Sequence, residues 1–310
     1  MKAKLAYRLR PLLACVIVAV FTGVAFAESE PLRVFVSVLP QKTIVEKIGG
    51  AHTNVRAMVR PGYSPHTYDP TPPQIAALSK TDLYVRSGVP FEHAWMARIR
   101  SANPDMQILD PRSGMDQRLM KHGAHGDDGE EAGRDDNVDR HHGGTSSEGR
   151  DPHIWTSPLL VVQMAANIRD KLTELDPAHA QDYARNYDAF AAELEALDRD
   201  IRLLVRDLPN RSFLVFHPAW GYFADTYGLI QVPIEKEGKE PGARALAALI
   251  EQAKRQDVKA IFVQPQFSAQ SAEQVARAIG GRVVHIDPLS ADYADNLRAV
   301  AQQIAEAAQE

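Results

Sequence analysis

Three histidines and one aspartate in this chain stand where a strand gives way to a turn or a turn gives way to a helix. His66 lies in Gly62-Tyr63-Ser64-Pro65-His66-Thr67-Tyr68-Asp69-Pro70, a proline-stiffened loop after the run Val55 to Val59. His153 lies in Asp151-Pro152-His153-Ile154-Trp155-Thr156-Ser157-Pro158, just ahead of a helix start. His217 closes the apolar run Phe213-Leu214-Val215-Phe216, and Asp287 closes Val283-Val284-His285-Ile286. Three imidazoles and a carboxylate suit a four-coordinate or slightly expanded site for a borderline divalent metal, zinc ahead of magnesium or calcium. Taken singly, each is weak evidence, because a lone buried histidine or strand-end aspartate is more often a hydrogen-bonded structural group than a ligand. Together they carry more, because open α/β sheets place ligands beyond the carboxyl ends of their strands, and three of the four fall there. A zinc hydrolase built on three histidines would need a nearby general base, and no glutamate stands in the HExxH relationship to these residues.

The elements that must hold these residues alternate in βα order, which implies parallel sheets. Strands are expected at Arg33 to Val38, Val55 to Val59, Asp82 to Val85 and Met106 to Leu109, with helices near Lys42 to Ile48, Pro73 to Ser79 and Phe91 to Arg100. A second series of strands follows at Ser212 to Phe216, Leu229 to Val232, Lys259 to Val263 and Arg282 to Ile286. Its helices are expected at Ala219 to Tyr227, Ala243 to Gln256 and Ala269 to Ile279. The middle of the chain is helical. Ser157-Pro158 reads as cap and first turn, and Asp176-Pro177 restarts a helix reaching about Asp207. Its apolar positions Tyr183, Tyr187, Phe190, Leu194, Leu197, Ile201 and Leu204 alternate by four and three, the mark of one long amphipathic helix. Such a helix serves as a rigid spine along both lobes or as a coiled-coil dimer seam, and the spine is the preferred reading.

The fold expected is therefore α/β: two βα lobes with parallel sheets joined by a long rigid helix, with a metal site in the cleft between them. The boundaries are a leader at 1–27, an amino-terminal lobe at 28–157, linking helices at 158–208 and a carboxyl-terminal lobe at 209–310.

Residues 116 to 150 differ in kind. They carry His122, His125, His141 and His142, four of the chain's 11 histidines, among Asp, Glu and Gly with few apolar residues, so they cannot form a core. A solvated loop is the plain reading; the histidines add weak, multivalent metal capture as a secondary site.

At the amino terminus, Lys2, Lys4, Arg8 and Arg10 precede an apolar run from Leu12 to Phe21 and then Ala25-Phe26-Ala27, the layout of a cleaved secretory signal. Cleavage after Ala27 is expected; a lipoprotein signal at Leu12-Leu13-Ala14-Cys15 is the alternative. Cleavage would remove the sole cysteine, Cys15, leaving His, Asp and Glu to hold any metal. It would also take the formal charge from −5 to −9 by removing those four basic residues, which disfavours nucleic acid as a partner.

Several blocks carry a family resemblance: Pro65-His66-Thr67-Tyr68, Asp151-Pro152-His153-Ile154-Trp155, Val215-Phe216-His217-Pro218-Ala219-Trp220-Gly221-Tyr222-Phe223, Val263-Gln264-Pro265-Gln266-Phe267 and Ile286-Asp287-Pro288-Leu289. Over nearly the whole mature length, the chain resembles the metal-binding solute receptors of bacterial ABC importers, the family that includes the high-affinity zinc uptake proteins. The resemblance implies metal ligation by His66, His153 and His217, with Asp287 or water completing the site, two lobes joined by a long helix, and no enzymatic activity. It also implies a periplasmic monomer that captures Zn(II) and delivers it to a membrane permease. Manganese-type members usually carry glutamate at the position of His217, and zinc members usually carry a His-rich acidic loop, so both features here point to zinc. A manganese or iron receptor and a metal-dependent adhesin are the alternatives. Gln264 departs from the glutamate common in relatives and is given no metal role.

Overall fold

The computed structural model describes residues 30–120, 149–235, 242–256, 258–267 and 270–310. The leader with Cys15 and the expected cleavage site after Ala27, and the loop histidines His122, His125, His141 and His142, lie outside the described residues.

The first lobe runs β1 (Leu32–Val36), α1 (Leu39–Gly49), β2 (Thr53–Ala57), α2 (Pro72–Leu78), β3 (Leu83–Val85), α3 (Pro90–Ala102) and β4 (Gln107–Leu109). All pairings are parallel in the order β2-β1-β3-β4, with Val34 level with Val55 and Leu83. Val34, Phe35 and Val36 are all buried, the continuous apolar run of a strand covered on both faces. Proline in the first turn starts α1, α2 and α3, where a missing N–H leaves no bond unmade.

The linking segment is α4 (Pro158–Leu175), a short 3-10 turn at Pro177–His179, and α5 (Ala180–Val205). With 26 residues, α5 spans about 39 Å at about 1.5 Å per residue. Its stripe of Tyr183, Phe190, Leu194, Leu197 and Ile201 is buried against α1 and α4 within the same chain, the spine arrangement. At its end the stripe departs from expectation: Leu204 is 39% exposed and Val205 is buried instead. A 3.6-residue turn drifts away from a strict four-three spacing, and by the seventh position the neighbouring residue faces inward. Ser157 stands at the N-cap of α4, but its hydroxyl caps nothing and hydrogen-bonds Thr226 Oγ1 at 2.8 Å.

The second lobe repeats the plan with β5 (Ser212–Val215), α6 (Gly221–Tyr227), β6 (Ile230–Pro233), α7 (Ala243–Arg255), β7 (Ala260–Val263), α8 (Gln270–Ile279) and β8 (Arg282–His285), in parallel order β6-β5-β7-β8. A helix that the sequence pattern did not assign, α9 (Tyr293–Ala307), then returns against α5. Its buried face is Tyr293, Leu297, Val300, Ala301 and Ile304, so α5 is packed by α1 and α4 on one side and α9 on another. Among the described residues no helix is long and apolar enough to cross a membrane.

Candidate metal centre

Four links pin the loop that carries His66. Gln74 in the first turn of α2 accepts hydrogen bonds from Thr71 N at 3.0 Å and Tyr68 Oη at 2.9 Å, and donates to Met58 O at 2.6 Å. The start of α3 adds a bond from Phe91 N to Pro65 O at 3.2 Å. The loop is thus tied at both ends to the carboxyl edge of the first sheet.

His153 precedes a 3-10 turn, Ile154–Thr156, whose Trp155 is buried. Trp155 Nε1 donates to Pro288 O at 2.7 Å and Tyr293 Oη donates to Trp155 O at 2.8 Å, so this segment is anchored on the second lobe. Asp151 Oδ1 accepts from both His153 N, at 3.0 Å, and His153 Nδ1, at 2.8 Å. A carboxylate can only accept, so Nδ1 carries the proton and Nε2 offers its lone pair.

His217 follows β5 and is buried. Its Nδ1 donates to Glu235 Oε1 at 2.5 Å, which fixes the same tautomer. Its backbone is clamped by Gln264, whose Oε1 accepts from His217 N at 3.1 Å and whose Nε2 donates to His217 O at 2.7 Å. A carboxylate could not make the second bond, which gives the glutamine at this position a physical reason. The ring of Phe267 stacks on the imidazole with centroids 5.0 Å apart.

These three chains of support bring the imidazoles together. The ligand atoms of His66, His153 and His217 lie within 4.8 Å of one another, the one such group of histidines and carboxylates among the described residues. His66 Nε2 and His217 Nε2 are 3.0 Å apart. Two nitrogens bound tetrahedrally to one zinc at about 2.0–2.1 Å lie about 3.3 Å apart, so the spacing already matches a shared ion. Burial, then the neighbouring His217 and His153, lowers the His66 pKa from 6.5 to about 2. Burial also lowers His217, against the opposing pull of Glu235. Both therefore stand uncharged at neutral pH, and a cation would take the place of the hydrogen bond between their Nε2 atoms.

Asp287 is not in that group. Its Oδ1 accepts from Gln266 Nε2 and from Leu289 N, both at 2.9 Å, and it borders a cavity of about 240 Å³ lined also by Arg60, Gln266 and Ser290. Sequence reasoning missed Asp151, Glu235 and Gln264 as supports. Asp151 had a signal, an aspartate two residues before the histidine where an Asx turn can form. Glu235 had a fainter one, a carboxylate just beyond the end of β6, next to β5 in the sheet.

Residues 34–307 match the family model described as zinc-uptake complex component A, periplasmic. The high-affinity zinc uptake system protein ZnuA of Bacillus subtilis strain 168 is 28% identical over 270 residues, which cover 86% of this chain and 81% of that one. Two crystal structures of ZnuA share 40% identity over 90% of this chain. One has a TM-score of 0.80 over 100% of its own length, and the other, a deletion mutant with zinc bound, has a TM-score of 0.79 over 98%. The chain spans about half the length of the zinc-binding protein AdcA of Streptococcus pyogenes, to which it is 25% identical over 260 residues, 83% of this chain and 50% of that one.

Proposed function

Because the chain belongs to the family of periplasmic zinc-uptake component A, we propose that it captures one Zn(II) ion between its lobes and delivers it to the membrane permease of an ABC importer. The observation that carries this reading is the convergence of His66, His153 and His217, two of them held as Nε2 donors by buried carboxylates. Zinc is the cargo. Uncharged imidazoles suit it, and magnesium and calcium prefer oxygen ligands. A fourth position falls to water or to Asp287, whose Oδ1 accepts from Gln266. The nearby carboxylates Asp151 and Glu235 are engaged on imidazole Nδ1 protons, which suits a carrier rather than a hydrolase needing a free general base. Export through a leader cleaved after Ala27 would place this monomer in the periplasm. His122, His125, His141 and His142 would serve as a weak collecting site.

Competition with a strong zinc chelator tests the proposal. The unmodified protein retains one tight zinc, and His66→Ala, His153→Ala and His217→Ala each weaken that site. Retention of wild-type affinity by any two of these variants would place the metal elsewhere.

A further inference from the structure

We infer that Glu235 is a positioning residue for this centre, fixing the His217 tautomer and supplying the buried negative charge against which the dication is taken up. The inference rests on the metal-capture reading above. Glu235 is 2% exposed and follows β6, and its backbone N–H donates to Phe216 O at 3.1 Å, which holds it directly beside His217. One carboxylate oxygen accepts the His217 Nδ1 proton. The other, Oε2, is buried with no hydrogen-bond partner among the described residues.

The comparison with Asp151 isolates what is unusual. Asp151 performs the same service for His153, but its second oxygen faces the Arg118 guanidinium, with Nε 3.8 Å away. No arginine or lysine pairs with Glu235 among the described residues; its partner is the uncharged imidazole itself. A buried carboxylate without a cation is disfavoured unless a positive charge arrives. A divalent ion on His217 Nε2 supplies it through the ring, and the carboxylate in turn makes that imidazole a stronger donor. Glu235 is therefore better suited to the metal-loaded state than to the empty one.

Glu235→Gln separates this role from a structural one. Glutamine keeps the shape and can still accept from Nδ1 through Oε1, but it brings no charge. Zinc affinity should fall by about 10- to 100-fold, while the melting temperature of the metal-free protein stays the same or rises. Unchanged affinity overturns the inference, and so does a lower metal-free melting temperature, since a group needed only for structure would weaken both. If the variant does not fold, nitrogen-15 histidine NMR of the unmodified zinc-loaded protein decides. His217 should show a protonated Nδ1 and a metal-bound Nε2, and the reverse assignment overturns the inference. Failure of the unmodified protein to bind zinc would instead sink the capture reading on which this one rests.

Discussion

Acidifying the metal-free protein from pH about 7.5 to about 5 should weaken its fold through the metal-site imidazoles. Burial, with His217 and His153 close by, holds His66 at about 2 against an ordinary value of 6.5. Above the ordinary value, folded and unfolded chains both carry neutral His66 and no pH slope arises. Below it the unfolded chain takes up a proton that the folded chain refuses until about 2, so stability falls as pH falls across that window. Each unit is worth at most about 1.4 kcal/mol, or about 2 kcal/mol between pH about 6.5 and about 5. This is a ceiling, because His66 is only partly buried. His217, lowered by its burial, adds a slope of the same sign. Asp82 and Asp110, where Arg33 and Arg112 outweigh burial and hold the carboxyls low, lose their contribution only below about pH 4 and so stay outside the window. Urea unfolding in the presence of chelator, for the unmodified protein and His66→Ala, reads the slope. The variant should be flatter. Identical slopes for the two proteins would refute the reasoning.

Gly221 leaves room for the Arg118–Asp151 pair: an added Cβ would collide with Arg118 Nη1 and come within 2.8 Å of Asp151 Oδ2. Gly221→Ala should therefore cost about 1–3 kcal/mol in thermal or urea unfolding and weaken zinc binding through His153; wild-type values in both would show that the pair yields freely. Asp287→Asn, measured by chelator competition, should reduce zinc affinity less than His217→Ala, because Asp287 stands outside the imidazole group. Removing Lys121 to Gly144 should lower total zinc stoichiometry in calorimetric titration yet keep one tight site, since the described ends of that segment are joined by the Leu119–Arg150 bridge and by Met120 N to Gly149 O at 2.8 Å. Loss of the tight site would mean that the segment supplies a primary ligand.

All eight strands among the described residues were legible because most are short runs of apolar or β-branched residues ended by turn residues, such as Val34-Phe35-Val36 before Ser37 and Val283-Val284 before Asp287-Pro288. The convergence of the three histidines was legible for a related reason: parallel sheets place ligands beyond their carboxyl edges, and His66 and His217 each follow a strand. The helix α9 was missed although Tyr293, Leu297, Val300, Ala301 and Ile304 recur at helical spacing, so its signal was present in the sequence and went unread. Glu235 escaped because its partner is 18 residues away and meets it only through the pairing of β5 with β6, a neighbour relation that strand patterns do not encode. Asp287 was expected among the ligands on the same strand-end logic as His217, yet its Oδ1 turns to Gln266 and Leu289 N. Strand ends specify a neighbourhood, and the local hydrogen bonds decide which way a side chain in it faces.

On the proposed reading, one zinc sits on the imidazoles of His66, His153 and His217. X-ray absorption at the zinc edge, on protein lacking Lys121 to Gly144 and loaded with one equivalent of metal, would show that arrangement. The expected shell is about three imidazole nitrogens at about 2.0–2.1 Å with one further light ligand, and fewer imidazoles in His217→Ala. An all-oxygen shell, or a shell that His217→Ala leaves unchanged, would contradict it.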